Sequence, residues 1–207
     1  MALLPIAAAL ALSASWLAEG PSQSPETIAE LAEAEFVAGR VEESVAAFDR
    51  LAALVPSVAP TLWQRGIGLY ILGRFRECAA QFADFHRIDP TDLENASWHF
   101  LCVARAESVD RARAGLLAAG PDARILRTQI YEMLAGRRTA DDLMGLAAKS
   151  TALVQFYGHL YVGLYQEASG QRAAALEHLS AAASDQYAPY GGFMNVVARV
   201  YLARLSR

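Results

Sequence analysis

Residues 31–90 repeat themselves at an offset of 34 positions. Gly39 returns as Gly73, Phe48 as Phe82 and Pro56 as Pro90. Arg40 and Arg74, Glu43 and Glu77, and Ala46 and Ala80 are identical at the same offset. Ala32 pairs with Gly66, Ser44 with Cys78 and Leu51 with Phe85, each alike in size or polarity. A self-similar period of this length predicts stacked helical hairpins, because one hairpin cannot bury its apolar face alone.

The second copy gives the physical reading. Leu62, Gly66 and Leu69 fall on one face of a first helix. Gly73 ends that helix, at a position where a left-handed cap favours glycine. Phe75, Cys78, Phe82, Phe85 and Ile88 share one face of a second helix, stopped by Asp89-Pro90. Gly66 is the small residue that lets the two helices approach, with Cys78 opposite and Phe82 closing the contact.

Composition agrees with this reading. The 207-residue chain is 54% hydrophobic, too apolar for a disordered chain. It is rich in alanine, the strongest helix former, and few runs alternate as strands do. The formal net charge of −4 offers no basic footprint for nucleic acid. Cys78 and Cys102 have no metal-ligand or CxxC spacing. They are expected as small buried hydrophobes, with a bridge between them left open if the chain reaches an oxidising compartment.

The order along the chain follows. Residues 1–12 are apolar and residues 13–15 are Ser-Ala-Ser, the small-residue pattern of a cleavage site. Residues 1–20 are expected to be a signal peptide or an apolar tail, too short for a stable membrane span. Ser24-Pro25-Glu26 opens a helix with a cap, a first-turn proline and a carboxylate. Regular repeats are expected over 25–56 and 59–90. A degenerate middle covers 91–150, where Phe100 stands at the small position and Glu107 at the turn glycine. Within it, helices are expected over 108–119 and 122–134, with capping boxes at 91–94 and 139–142. A late hairpin over 151–184 carries Gly163, Gly170, Ala175 and Leu179, and after a loop at 187–192 a helix over 193–206 caps the stack.

The pattern of Ala32/Gly66, Gly39/Gly73, Ser44/Cys78, Phe48/Phe82 and Pro56/Pro90 resembles the tetratricopeptide (TPR) family. The fold expected is all-α, a TPR-like helical-hairpin solenoid with an irregular middle and a C-terminal capping helix. The layout from Leu62 to Leu202, with Trp98, Leu101, Tyr161, Gly163, Tyr165 and Gly170, is similar to bacterial envelope TPR lipoproteins of the NlpI type. It also resembles chloroplast TPR proteins. The resemblance implies a non-enzymatic adaptor or scaffold that binds other proteins, in the periplasm or secreted. Alternatives are a structural subunit of a larger assembly, the chloroplast lumen, or the cytoplasm if the first segment is no targeting signal. A homodimer is compatible with it.

A TPR resemblance implies that the first helix of each hairpin lines a concave groove. The partner-binding candidates are then Phe36, Trp63, Ile67, Tyr70, Trp98, Leu101, Tyr157 and Leu164, beside Ala29 and Glu33. Aromatic anchors in a groove suit an apolar helix or extended segment. No lysine-and-asparagine set for gripping an acidic C-terminus occurs at the comparable positions. Nothing points to catalysis: GxSxG, HExxH, Walker and strand-linked GxGxxG motifs are absent. His86, His99, His159 and His178 form no i, i+4 pair, so no metal site or cofactor is expected.

Overall fold

The computed structural model describes residues 24–120 and 125–206. The expected signal segment at 1–20 and the start of the helix expected from residue 122 lie outside the described residues. Twelve α-helices, and no strand, are found among the described residues. They are α1 (Pro25–Val37), α2 (Val41–Leu54), α3 (Trp63–Ile71), α4 (Phe75–Ile88), α5 (Leu93–Ala106), α6 (Val109–Ala114), α7 (Ile125–Leu134), α8 (Ala140–Ala147), α9 (Ala152–Ala168), α10 (Arg172–Ala182), α11 (Ala188–Gly191) and α12 (Phe193–Leu205). The protein is all-α, and no helix among the described residues is long and apolar enough to cross a membrane.

Three sequential pairs, α1 with α2, α3 with α4 and α9 with α10, pack closely. Each is joined by a tight turn at Gly39, Gly73 or Gly170, with φ near +77° in all three. At the second turn Arg74 N–H donates to the Leu69 carbonyl at 2.9 Å and Gly73 N–H to the Tyr70 carbonyl at 3.0 Å. That pair of bonds closes a helix end only if the turn residue is left-handed, which glycine adopts without a side-chain clash. The small positions then decide how near the helices come. A Cβ on Gly66 would stand 2.7 Å from the Phe82 ring, and one on Gly163 would stand 2.8 Å from Leu179 Cγ.

Polar links tie successive pairs. Arg65 donates to Asp49 at 2.6 Å and to Gln81 Oε1 at 2.9 Å. Gln81 Nε2 in turn donates to the Ala59 and Pro60 carbonyls, so a buried amide has its needs met. Cys78 on α4 and Cys102 on α5 are joined by a disulfide and fully buried. The expectation of free thiols is thereby corrected. Gly66 and Phe82 bring α3 onto α4, α5 packs on α4, and the two cysteine Cα atoms end 5.7 Å apart.

Three local expectations also change. The helix expected over 108–119 stops at Ala114, because Gly115 is a poor helix former and Gly120 N–H is drawn back to the Thr91 carbonyl at 3.3 Å. The cap of α5 is Asp92 alone, accepting from Glu94 and Asn95 N–H, while Thr91 turns its hydroxyl to Asp89. Residues 187–192, expected as a loop, hold the end of a 3₁₀ turn (Asp185–Tyr187) and α11. The capping box at Thr139 and Asp142 is present.

One buried cluster runs from Phe36 through α3, α4, α5 and α9 to Tyr201. A smaller one lies between α1 and α2 around Ala32 and Phe48. Helix α12 joins the large cluster through Met194, Val197, Ala198 and Tyr201 and packs on α10 and α3.

The glycine contacts are testable by substitution. Gly66→Val should destabilise the protein by about 1–3 kcal/mol, because its Cβ alone would stand 2.7 Å from the Phe82 ring and 3.2 Å from Gln81 Cγ. Gly145→Ala should instead stabilise it by about 0.5–1 kcal/mol, since its Cβ would meet nothing within 4 Å on an exposed face. Urea unfolding of both variants reads the difference, and equal midpoints would contradict this packing.

Candidate functional site

The eight expected groove residues do not line one open surface. Phe36, Ile67, Tyr70, Trp98, Leu101 and Leu164 are all buried. The reason is α12. Its Phe193 lies 5.0 Å from the Phe36 ring and 5.4 Å, edge-on, from Trp63. Its Tyr201 lies 5.4 Å from the Tyr70 ring. Tyr70 also meets Phe75 and Trp98, and its hydroxyl donates to Glu167 at 3.5 Å. Glu167 is paired with Arg105, which sits over Phe75. The face that the first helices were expected to leave for a guest is therefore occupied by the chain itself. Among the eight, only Trp63, 36% exposed, and the half-buried Tyr157 reach the surface.

Those two residues share a different feature. A cavity of about 500 Å³ opens between α5, α7 and α9. Its walls are largely apolar, with Leu93, Leu126, Ile130, Leu153 and Val154, and Tyr157 and Tyr161 on one side. A second cavity of about 320 Å³ is walled by Trp63, Phe82, Phe85, Trp98, Tyr157 and Met194. Both are bordered by Glu94, Arg127 and Tyr157, so they form two compartments of one cleft. Trp63 at one rim and Leu153, 43% exposed, at the other are among the most exposed large apolar residues described.

Polar groups converge where the compartments meet. Arg127 lies 2.5 Å from Glu94 and 3.6 Å from Asp92. Tyr161 donates its hydroxyl to Glu94 at 3.1 Å. Burial, and then the Glu94 charge, push the Tyr161 phenol well above its ordinary range, so it stays a protonated donor. A mostly apolar concavity with a few convergent polar groups is the usual form of a binding site. Sequence reasoning reached Tyr157 and Trp63 but not Arg127, Glu94 or the apolar wall. One signal was present: Arg127 is the sole basic residue of α7.

A second cluster is formed by histidines that sequence spacing kept apart. His159 on α9 and His178 on α10 face each other with Nδ1 atoms 3.0 Å apart, and Tyr187 lies beside them. One ring must donate and the other accept, so both cannot be protonated in this geometry. No group of three or more His, Cys, Asp or Glu side chains fit for a metal occurs among the described residues. The pair is a helix-to-helix contact.

Compared with known proteins, the chain matches no family model and no curated protein.

The histidine contact sets a pH dependence. Burial lowers the pKa of both rings. Repulsion between the two rings when both take a proton lowers His159 further. For His178, Glu177 and Asp141 oppose the shift without reversing it. The unfolded chain therefore binds protons more readily than the folded one. Stability is complete above the unfolded histidine value of about 6.5 and is lost as pH falls through the lower folded values. His99, also lowered by burial, acts in the same direction. The thermal midpoint should hold from pH 8 to 7 and drop below about 6.5, less steeply in His178→Gln. An equally steep drop in that variant would contradict the assignment.

Proposed function

We propose that the protein is a non-enzymatic adaptor of the tetratricopeptide type, exported from the cytoplasm, that holds a protein partner in the cleft between α5, α7 and α9. The single observation that carries this reading is that cleft: two joined compartments with an exposed apolar rim. The TPR assignment is supported by the 34-residue period and by the Gly66–Phe82 contact falling at matching repeat positions. A binding role is favoured over catalysis because the polar groups of the cleft are engaged with one another. Arg127 faces two carboxylates, and Tyr161 serves Glu94. Export is supported by the apolar start of the sequence and by the buried disulfide, since such bonds persist in oxidising compartments.

Protein expressed in its native host tests both halves. A photo-crosslinking residue at Leu153, on the cleft rim, should give a discrete adduct with a partner protein. The same residue at Leu54, which is exposed but borders neither compartment, should not. Tyr157→Ala should weaken the Leu153 adduct, and N-terminal sequencing should begin after Ser15. Equal adducts from both positions would contradict the cleft, and an intact Met1 would contradict a cleaved export signal.

A further inference from the structure

The disulfide between Cys78 and Cys102 is bracketed by large side chains on several sides. Both cysteines are fully buried, and the bond joins α4 to α5. One helical turn nearer the connection at 89–92, Phe82 and Trp98 stack with centroids 6.1 Å apart. One turn the other way, the Arg105 guanidinium lies 4.7 Å from the centroid of the Phe75 ring. Tyr70 of α3 spans the two brackets, 5.4 Å from Phe75 and 5.5 Å from Trp98. Tyr70, Phe82 and Trp98 are themselves buried.

A disulfide is cut when a thiolate attacks one of its sulfurs. The reductant's sulfur bonds to one cysteine, and the Cys78–Cys102 bond breaks. The second thiol of a dithiol reductant then displaces that cysteine from the mixed disulfide. Two electrons and two protons pass to Cys78 and Cys102, and the reductant leaves as its own disulfide. The attacking thiolate is charged, so carrying it dry to a sulfur enclosed by rings adds the cost of its lost hydration.

Uncovering the sulfurs disturbs more than one hairpin. Tyr70 would have to withdraw, and its ring also meets Tyr201 of α12 at 5.4 Å. Arg105 would have to leave Glu167 of α9. Those contacts tie α3 and α5 to the last helices within the large buried cluster. An opening wide enough for a reductant therefore breaks the links that hold the fold together.

We propose that the bridge is a redox lock, made while the chain folds and closed to thiol exchange until the whole fold opens. This inference is independent of the adaptor reading. It makes the bond the opposite of a redox sensor, whose cysteines must be reachable in the folded protein.

The test uses the oxidised full chain with dithiothreitol, dilute enough that reclosing outruns attack, so the rate follows the open population. Alkylation and mass measurement count the thiols released. The rate should climb with urea below the unfolding transition, in step with the unfolding constant read by circular dichroism. Gly158→Val lies on α9, where an added Cβ would already stand 3.0 Å from Ala147 of α8. It should raise the unfolding constant roughly five- to a hundredfold, and speed reduction by the same factor. Should that variant fail to fold, Ala175→Gly on α10 supplies a milder lesion for the same comparison. A rate that is flat in urea and unchanged by the substitution would overturn the lock, because the folded protein would then be open to attack. A rate that urea raises and the substitution leaves unchanged would overturn it too, by showing that a local opening suffices.

Discussion

The rings of α12 against the first helices are the contact on which the rest of the structure depends. Phe193 fits between Phe36 and Trp63, and Tyr201 meets Tyr70. Helices α1 and α3 each have one face satisfied by the second helix of their own hairpin. Their other face carries large apolar side chains, and leaving such a face wet forfeits about 25 cal/mol per Å². Helix α12 covers it, which joins α1 and α12 in one buried cluster from Phe36 to Tyr201. That side of α1 and α3 is thereby closed by α12.

With that side closed, the main concavity lies elsewhere. Helices α5, α7 and α9 touch pairwise without filling the space between them. Short α6 and the non-helical residues after it return the chain to the start of α5, where Gly120 bonds to Thr91. Short α6 therefore makes no full-length hairpin with α5, and the cleft opens beside α5. The disulfide and the Arg105–Glu167 pair hold α5 to α4 and to α9, so one wall of the cleft is fixed from two directions.

Much of the local structure was legible in the sequence, because it is set by neighbours a few residues apart. The left-handed glycines at 39, 73 and 170, the Thr139 capping box and the extent of α12 all follow from short-range chemistry. The contact of Gly66 with Phe82 follows from the repeat period. What covers an apolar face does not. The TPR resemblance put Tyr70 and Phe36 on the inner face, and such a face suits a guest or a distant helix equally. The choice was made by Phe193 and Tyr201, which are more than a hundred positions away in sequence. The Arg127–Glu94 pair was hidden for the same reason, since it joins helices that only the tertiary fold brings together. The disulfide was a matter of packing and not of spacing.

The most direct measurement is nuclear Overhauser contact between labelled aromatic rings in the full chain. The account predicts cross-peaks between Phe36 and Phe193 and between Tyr70 and Tyr201, whose centroids lie 5.0 and 5.4 Å apart. Absence of both, with the Phe193 and Tyr201 rings shifted as in free solution, would show that the inner face stands open. The central claim would then be wrong.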